Sequence, residues 1–349
     1  MPHEVLTRAI DAVASRRDLS AEQAGAVLET IMRGNASEVQ IAAFLIALRT
    51  KGETVEELAG LAATMRELAA HVPTSREDLL DTAGTGGGRS TFNVSTTAAL
   101  IAAGAGCAVA KHGNRSATSR SGSADVLEAL GARIDLGPAQ VAACIDEAGF
   151  GFMFAPAHHQ ATRFVVPVRH ELAVRTIFNM LGPLTNPAGA TSQLVGVSDP
   201  SFLEKIGGAL ARLGVRRALV VSSEDGLDEV SCSAPTAVVE VRDGELSSYV
   251  LTPAQAGIES DGGELLAGGT PHENAERTRA ILQPGVKAPA GEALAAINAG
   301  AAIYLAGGAE TIAAGVQAAR EAISDGRALA ALEAYVAASR RHAPSGASA

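Results

Sequence analysis

The segment from Asp81 to Gly104 constrains the fold of this chain more than any other. It runs Asp-Thr-Ala-Gly-Thr-Gly-Gly-Gly-Arg-Ser-Thr-Phe-Asn-Val-Ser-Thr-Thr and continues as Ala-Ala-Leu-Ile-Ala-Ala-Gly. The pattern predicts a short strand, a glycine-rich turn and a helix whose first turn carries Ser and Thr. Glycines let backbone N–H groups approach an anion closely, and the start of a helix adds unpaired N–H groups. A phosphate-binding turn is therefore expected here.

The spacing of the turn excludes two common nucleotide-binding motifs. No Gly-Lys-Ser/Thr sequence closes it, so it is not a P-loop. Gly84 and Gly86 would need a third glycine at position 89 for a dinucleotide fingerprint, and that residue is Arg89. A glycine-rich turn can also be a tight connection without a ligand. The cation-rich stretch Lys111-His-Gly-Asn-Arg115 favours a phosphorylated small molecule.

The charge balance argues against nucleic acid or a membrane surface as the main partner. Lys and Arg number 28 against 38 Asp and Glu, a formal net charge of -10. The N-terminus shows no signal peptide, and the apolar run from Ala98 to Ala110 is too short to span a bilayer. A soluble, cytoplasmic protein is expected. The odd number and wide spacing of Cys107, Cys144 and Cys232 predict reduced thiols rather than disulfides or a metal site.

The first seventy residues predict four helices with clear start signals. Ser20-Ala-Glu-Gln23, Ser37-Glu-Val-Gln40 and Thr54-Val-Glu-Glu57 each fit a capping box ahead of an apolar run. The expected helices lie near 3–15, 20–33, 37–50 and 54–70. Their surplus apolar surface must be buried against another domain or a second subunit.

From about residue 79 short apolar runs alternate with helical patterns, which is typical of a parallel sheet. Strands are predicted at Leu79–Ala83, Ala108–Lys111, Gly151–Ala155, Gln193–Val197, Ala218–Ser222 and Ala237–Val241. Helices are predicted near 95–104, 122–131, 138–148, 200–213, 273–283, 290–305, 309–324 and 326–340. Asp243-Gly244 predicts a hairpin that adds an antiparallel element.

The predicted fold class is α/β, with a small, mostly helical N-terminal domain. A larger α/β domain carries a mainly parallel central sheet flanked by helices. We expect the helical domain to span residues 1–72 and to be completed by about 163–187. The α/β domain then comprises 73–162 and 188–340, and 341–349 form a disordered tail.

Seven motifs follow one another along the middle of the chain. They are Gly84-Thr-Gly-Gly87, Thr91-Phe-Asn-Val-Ser-Thr96, Lys111-His-Gly-Asn-Arg-Ser116, Ser121-Gly-Ser-Ala-Asp-Val-Leu-Glu-Ala-Leu-Gly131, Phe154-Ala-Pro-Ala-His-His159, Asn179-Met-Leu-Gly-Pro-Leu-Thr-Asn-Pro187 and Asp225-Gly-Leu-Asp-Glu229. This ordered series resembles one enzyme family, anthranilate phosphoribosyltransferase. The resemblance implies a nucleoside phosphorylase class II-type fold, an active site between the two domains, and a homodimer formed through the helical domain. It implies transfer of the phosphoribosyl group of phosphoribosyl pyrophosphate (PRPP) to anthranilate with Mg²⁺, in tryptophan biosynthesis.

The resemblance also implies a set of PRPP-binding residues along the glycine turn, the next helix and the cation-rich stretch. They are Gly84, Thr85, Gly86, Gly87, Gly88, Thr91, Asn93, Val94, Ser95, Thr96, Lys111, Asn114, Arg115, Ser116, Ser119 and Ser123. Backbone N–H groups and polar side chains of this kind suit the charge that grows on departing pyrophosphate. Lys111 is expected to act in catalysis. Asn93 and Ser95 could instead be plain helix caps.

For the metal, the resemblance implies Ser95 at one ion and Asp228 with Glu229 at another. For anthranilate it implies Gly84, Asn114 and Arg169, since a guanidinium can grip a benzoate carboxylate with paired hydrogen bonds. His112 is either a proton acceptor for the attacking amine or a residue that orients its loop. His158 and His159 are expected to be structural or to line the cleft.

The glycine turn departs from the family pattern. The family usually has Gly-Thr-Gly-Gly-Asp-Gly, with one more residue before Thr-Phe-Asn. Here Gly88 stands in place of the Asp and Arg89 follows, so the turn is shorter and less acidic. We expect pyrophosphate to be held more directly and the Mg²⁺ dependence to be altered.

Two alternative functions would require different sequence features. A pyrimidine nucleoside phosphorylase of the same fold would carry a Lys-x-Ser-Thr-Gly-Gly type of loop, where this chain has Ala83-Gly84-Thr85. A non-catalytic relative that binds nucleic acid would have a basic surface and would lack Asn114 and Arg169.

Overall fold

The computed structural model describes residues 2–116, 120–259, 267–286 and 291–344. It begins with four helices, α1 (Glu4–Ala14), α2 (Ala21–Met32), α3 (Glu38–Lys51) and α4 (Val55–Glu67). The predicted helix starts are confirmed, because Ser20, Ser37 and Thr54 each accept a hydrogen bond from the backbone N–H three residues later. The full capping box forms at Ser20 and Thr54 but not at Ser37, where the Gln40 side chain accepts from the His3 N–H instead. Capping therefore sets where α2, α3 and α4 begin.

Strands and helices alternate from residue 79 onward, as predicted. The strands are β1 (Leu79–Gly84), β2 (Ala108–Gly113), β3 (Phe150–Phe154), β4 (Ser192–Gly196), β5 (Arg217–Ser223), β6 (Thr236–Arg242) and β7 (Glu245–Leu251). The helices are α5 (Val94–Gly104), α6 (Ser123–Ala129), α7 (Pro138–Ala148), α8 (Ala155–His158), α9 (Val166–Leu172), α10 (Phe178–Leu184), α11 (Leu203–Arg212), α12 (Pro271–Leu282), α13 (Glu292–Leu305), α14 (Ile312–Ser324) and α15 (Arg327–His342). Short 3-10 helices cover Gln160–Phe164, Pro200–Phe202 and Ala254–Ala256.

Within the described ranges, seven strands form one sheet in the order β3-β2-β1-β4-β5-β6-β7. Strands β1 to β5 are parallel to one another, whereas β6 pairs antiparallel with both β5 and β7. The strand order reverses between β1 and β4, because β2 and β3 follow on one side and β5 on the other. Sheets of this kind bind ligands beyond the carboxyl ends of the strands at such a switch point.

The predicted hairpin joins β6 to β7. Asp243 and Gly244 both have positive φ angles, 50° and 88°, as a two-residue type I′ turn requires. Strand β7 itself was absent from the predicted strands, because its residues show little apolar alternation and are mostly exposed. The antiparallel element expected from the hairpin is confirmed, although the sequence patterns gave no bounds for β7.

Two clusters of buried side chains form the interior. One packs α5, α7 and α13–α15 against the sheet. The other joins α1–α4 to α9, α10 and α11 and to one face of β4–β6, with Phe44, Leu58, Leu181, Val195 and Val220 among its fully buried members. The surplus apolar surface of the N-terminal helices is thus largely covered by the rest of the chain. The proposed domain boundary at residue 72 stays a prediction.

The C-terminal tail was predicted to be disordered from residue 341, and this is wrong for its first residues. Helix α15 continues to His342, and both Arg341 and His342 contact the carboxylate of Glu147. Cations in the last turn also suit the negative end of the helix dipole. Residues 345–349 lie outside the described residues.

The three cysteines are thiols, as predicted, with Cys107 and Cys144 buried. In the part of the chain that the structure describes, no helix is long and apolar enough to cross a membrane.

Candidate active site

A cleft of about 630 Å³ lies at the carboxyl ends of the strands, over the switch point between β1 and β4. Its walls come from the glycine turn, the end of β2, the segment of α9 and α10, the loop after β5, and α13. Gly84 and Gly196 pair with each other at the ends of β1 and β4. A Cβ on Gly196 would lie 1.5 Å from the carbonyl oxygen of Asp228, so the loop after β5 packs directly on this strand end.

Side chains from three other segments of the chain form hydrogen bonds with the backbone of the glycine turn. Gly86 and Gly87 have φ angles of 62° and 89°, which favour glycine. The Gly86 N–H donates to Asp228 Oδ2 at 3.1 Å, and its carbonyl accepts from Ser198 Oγ at 3.0 Å. Arg175 donates to the carbonyls of Gly86 and Thr85 at 2.6 and 3.2 Å. The backbone of the turn is thereby fixed before any ligand is present.

Asn93 at the start of α5 is tied to neighbouring elements. Its side-chain amide donates to the Ser121 carbonyl at 3.1 Å, and its Oδ1 accepts from Asn274 Nδ2 at 2.8 Å. Within the described residues its side chain makes no helix-capping hydrogen bond. The alternative that Asn93 is a plain helix cap is therefore wrong. Its hydrogen bonds connect the glycine turn to the loop before α6 and to α12.

Lys111 lies beneath the glycine turn with its side chain fully buried. Its Nζ donates to Thr82 O at 2.5 Å, to Thr82 Oγ1 at 3.3 Å and to Ser95 Oγ at 3.3 Å. Burial lowers the pKa of Lys111 to about 8, opposed by the nearby charge of Asp81. Protein oxygens take all three of its N–H groups, so Lys111 supplies positive charge to the cleft floor rather than a spare donor.

Asp81 and Asn186 form a buried link beneath the cleft. Asn186 Nδ2 donates to Asp81 Oδ2 at 2.7 Å and to the Ala110 carbonyl at 2.8 Å. Asp81 Oδ1 accepts from the His112 N–H at 3.1 Å. Burial raises the pKa of Asp81, whereas Lys111 and these hydrogen bonds lower it. The link fastens the segment after α10 to β1 and β2.

His112, His158 and His159 are packed together, and His112 also lines the cleft. The rings of His112 and His159 lie 5.0 Å apart, and His112 Nδ1 lies 3.2 Å from the Gly182 carbonyl. This contact places the proton on Nδ1, so Nε2 is an acceptor, and it has no partner among the described residues. Burial, with the neighbouring histidines, lowers the pKa of His112 to about 3 and that of His159 to about 4. Both rings are neutral at neutral pH.

Asp228 and Glu229 present a carboxylate pair at the cleft. Burial raises the pKa of Asp228, which the Gly86 N–H and Arg175 oppose. Burial and the neighbouring carboxylates hold the pKa of Glu229 well above its usual range. Its Oε2 is buried and, within the described part, has no hydrogen-bond partner. The raised pKa favours the protonated carboxyl, whereas a cation or a donor from a ligand would stabilise the carboxylate and give Oε2 a partner.

Arg169, on α9, also lines the cleft. It is half-buried, and its guanidinium lies 5.5 Å from the centre of the Phe178 ring. Burial lowers its pKa, although a guanidinium stays charged. No described residue pairs with it through a hydrogen bond or ion pair, including Glu171. A half-buried, unpaired guanidinium beside an aromatic ring suits the carboxylate of an aromatic ligand.

Residues 76–329 match a family described as glycosyl transferase family, a/b domain, and residues 7–69 match its helical bundle domain. The chain is 51% identical over 344 residues to the anthranilate phosphoribosyltransferase of Rubrobacter xylanophilus, which covers 98% of this chain and 100% of that protein. The chain belongs to the anthranilate phosphoribosyltransferase family. The anthranilate phosphoribosyltransferase of Thermus thermophilus has the same fold, with a TM-score of 0.89, 45% identity, and coverage of 95% and 99%. The enzyme of Saccharomyces cerevisiae in complex with PRPP and Mg gives a TM-score of 0.87, 27% identity, and coverage of 97% and 100%.

Many of the residues assigned by resemblance to this anthranilate phosphoribosyltransferase family line the one cleft. They are Gly84, Thr85, Gly86, Gly87, Asn93, Ser95, Lys111, His112, Asn114, Arg115, Ser116, Ser123, Arg169, Asp228 and Glu229. Asn114 is exposed, and its Oδ1 accepts from the Arg115 N–H at 2.7 Å. Ser123 Oγ donates to the Asn114 carbonyl at 3.3 Å, so the two lie together at the cleft edge.

Four of the assigned residues do not line the cleft, namely Gly88, Thr91, Val94 and Thr96. Thr96 was expected to offer its side chain to pyrophosphate, and this is wrong, because the residue is fully buried. Its backbone N–H, in the first turn of α5, remains suited to an anion. Ser119 lies outside the described residues.

Arg115 reaches the cleft but is already paired. Its Nη1 donates to Asp125 at 2.8 Å and to Glu128 at 2.5 Å. The side chain is half-exposed, and the two carboxylates compete with any phosphate for it.

Two residues of this family member that sequence reasoning overlooked, Arg175 and Asn298, shape the site. Arg175 holds the glycine turn, as described above. The side chain of Asn298, on α13, binds the backbone of Val230. Its Oδ1 accepts from the Val230 N–H at 3.0 Å, and its Nδ2 donates to the Val230 carbonyl at 2.9 Å. An Asn in the middle of an apolar helix was the available signal for Asn298, since a buried amide needs partners. No local pattern marked Arg175.

Proposed function

We propose that this chain transfers the phosphoribosyl group of PRPP to the amine of anthranilate. The products are N-(5′-phosphoribosyl)anthranilate and pyrophosphate, in tryptophan biosynthesis. The observation that carries the proposal is that two different sets of groups line one cleft. A glycine turn and a helix start suited to phosphates line it, and so does Arg169, whose guanidinium lies beside Phe178 and has no hydrogen bond or ion pair among the described residues.

In the proposed reaction the amine nitrogen bonds to C1′ of the ribose while the bond from C1′ to the pyrophosphate oxygen breaks. Pyrophosphate leaves with the electron pair, and the nitrogen releases one proton, to the departing pyrophosphate or to water, once the C–N bond has formed. Negative charge grows on pyrophosphate, where the N–H groups of the glycine turn and of α5 can stabilise it. Removing one preorganised donor of this kind costs about 3–4 kcal/mol in comparable sites. The positive charge of Lys111, in the floor of the cleft, adds to this stabilisation of the negative charge on pyrophosphate.

We assign anthranilate to the wall formed by α9 and α10. The Arg169 guanidinium binds the carboxylate, and Phe178 lies beside the same guanidinium. We assign Asn114 and Gly84, which line the same cleft, to the same ligand. His112 Nε2, an acceptor without a partner among the described residues, accepts a hydrogen bond from the amine. Its low pKa makes it a weak base, so its main task is to orient the nucleophile.

We also propose that Mg²⁺ is bound at Asp228 and Glu229. Glu229 Oε2 is buried and lacks a donor, which fits a hard cation. In the ranges described, no group of three or more His, Cys, Asp or Glu side chains could hold a metal ion. This favours an ion bound by one or two carboxylates and completed by water and substrate phosphate, as Mg²⁺ prefers. Once bound, the ion would neutralise charge on the pyrophosphate.

Ser95 is proposed for a second ion. Its hydroxyl accepts from the Lys111 ammonium at 3.3 Å. The positive charge of that ammonium would compete with a metal ion for the Ser95 hydroxyl.

A homodimer in the cytoplasm completes the proposal. Val39 on α3 and Val166 on α9 are exposed by 78% and 53%, and these two helices pack against each other. A second copy would cover this apolar surface. Light scattering should give twice the chain mass for the wild type and a smaller mass for Val39→Asp. A wild-type monomer would contradict the dimer.

The test of the function is the loss of anthranilate fluorescence with PRPP and Mg²⁺. Consumption should require all components and should yield pyrophosphate in equal amount. Glu229→Gln keeps the size of the side chain but removes its charge, and it should raise the Mg²⁺ needed for half-maximal rate. A chain that consumes no anthranilate but cleaves pyrimidine nucleosides with phosphate, or binds nucleic acid, would overturn the proposal.

A further inference from the structure

The guanidinium of Arg175 donates two hydrogen bonds to the backbone of the glycine turn. Nη1 donates to the Gly86 carbonyl at 2.6 Å and Nη2 to the Thr85 carbonyl at 3.2 Å. Two carbonyls of successive residues are thereby held by one planar group, which a lysine cannot reproduce. A Cβ on Gly87 would lie 1.8 Å from Arg175 Nη1, so the guanidinium also fills the space beside the turn.

A second donor reaches the same carbonyl from the sheet. Ser198, just after β4, donates from Oγ to the Gly86 carbonyl at 3.0 Å. The backbone N–H of Gly86 itself donates to Asp228 Oδ2. The Gly86 backbone is therefore fixed by the segment between α9 and α10, by the end of β4, and by the loop after β5.

Arg175 is itself held by the N-terminal helices. Arg49, in the last turn of α3, donates from Nη1 to the Arg175 carbonyl at 2.9 Å. A continuous path of hydrogen bonds thus runs from α3 through Arg175 to the turn expected to receive pyrophosphate.

We propose that Arg175 is a positioning residue, through which the helical layer sets the conformation of the glycine turn. Arg175 acts on the backbone of the turn, and the N–H groups of that backbone then bind the phosphates. The competing role is direct contact between the guanidinium and pyrophosphate, since Arg175 also lines the cleft. The proposal deepens the PRPP-dependent transfer proposed above and rests on it.

The experiment combines a double-mutant cycle with hydrogen exchange on the free protein. The enzymes are wild type, Arg175→Ala, Ser198→Ala, the double variant and Arg175→Lys. Arg163→Ala is the matched control, because Arg163 is an exposed arginine stacked on Phe164 outside the cleft. Steady-state kinetics measures kcat and both KM values, and mass spectrometry follows amide exchange in residues 84–90 without substrate.

Positioning predicts that Arg175→Ala lowers kcat/KM for PRPP by roughly 10- to 100-fold, the value of a hydrogen bond from a charged group. The KM for anthranilate should change little. The losses in Arg175→Ala and Ser198→Ala should combine to less than their product, because both remove support from one carbonyl. Exchange in residues 84–90 should be faster in both variants and unchanged in Arg163→Ala. Arg175→Lys should restore only part of the loss.

Direct contact predicts the opposite pattern, which would overturn the proposal. The two losses would multiply, exchange in the free protein would stay at the wild-type rate, and Arg175→Lys would restore most of the activity. The exchange measurement needs no turnover, so it still decides on Arg175 if the wild type fails to consume anthranilate.

Discussion

Asn186 and Asp81 form a side-chain hydrogen bond of 2.7 Å in the buried floor of the cleft, between residues 105 positions apart in the chain. The same amide donates to the Ala110 carbonyl, and its oxygen accepts from the Ala188 N–H at 2.9 Å. One side chain therefore satisfies three buried polar groups of other residues. It is a structural joint rather than a ligand-binding group.

Asn186→Ala should destabilise the fold by about 3 kcal/mol or more, because it leaves buried partners unsatisfied. Urea denaturation would measure the change. Asn35→Ala, at an exposed turn, is the matched control and should change the unfolding free energy by less than about 0.5 kcal/mol. Equal stability of the two variants would contradict the role of the joint.

Arg169→Ala should raise the KM for anthranilate by roughly 10- to 100-fold, since a charge-assisted pair is lost. The KM for PRPP should change much less, because the proposed contact of Arg169 is with the carboxylate of anthranilate and not with a phosphate. Steady-state kinetics with each substrate varied separates the two. Arg163→Ala should leave both constants unchanged, and a rise in the PRPP constant alone would refute the assignment.

Gly88→Asp should change the Mg²⁺ dependence. A Cβ on Gly88 would lie 2.7 Å from Asp228 Oδ1 and 3.0 Å from the Asp228 backbone nitrogen, so an aspartate adds a carboxylate beside Asp228. The added charge should lower the Mg²⁺ needed for half-maximal rate and weaken PRPP binding when Mg²⁺ is scarce. Gly88→Asn has similar bulk without the charge and controls for crowding. Superimposable Mg²⁺ titrations of wild type and Gly88→Asp would exclude the idea.

The buried histidines should make the fold less stable as the pH falls. The pKa of His159 is lowered to about 4, whereas an unfolded histidine titrates near ~6.5. The unfolded chain thus binds a proton that the folded chain does not. Stability is full above ~6.5 and is lost as the pH falls towards 4, by about 3 kcal/mol for this group.

Melting temperatures of wild type and His159→Gln between pH 8 and pH 4.5 test this expectation. Gln can still donate to the Thr185 carbonyl, which His159 Nε2 contacts at 3.1 Å. The variant should lose less stability on acidification than the wild type. His272→Gln, at an exposed position, should follow the wild type. Parallel curves for wild type and His159→Gln would mean that this ring does not titrate on unfolding.

The sequence predicted the parts of this fold that depend on local chemistry. Capping residues such as Ser20 and Thr54 placed the first helices, and Asp243-Gly244 placed the hairpin, because each acts within a few residues. The glycine turn was located for the same reason. The C-terminal end of α15 was misjudged because Glu147, far away in sequence, holds its last residues.

For the site, the sequence predicted several of the residues but not their hydrogen bonds and ion pairs. Motifs located the backbone turn, the carboxylate pair and Arg169, but not which atoms were already in use. The hydrogen bonds of Lys111 and the ion pairs of Arg115 are tertiary, as is the burial of Thr96. The roles of Arg175 and Asn186 depend on contacts across about a hundred residues, which no short pattern encodes.

The shared core of the helical layer and the sheet limits how this protein can be recombined. Helix α11 packs on α4 and also on β5 and β6, so Val195, Ile206 and Val220 lie in one interior with the N-terminal helices. Those helices consequently cannot be exchanged as an independent unit. A chimera that takes them from a relative would need matching side chains on α11 and the sheet, or it would open cavities at the join.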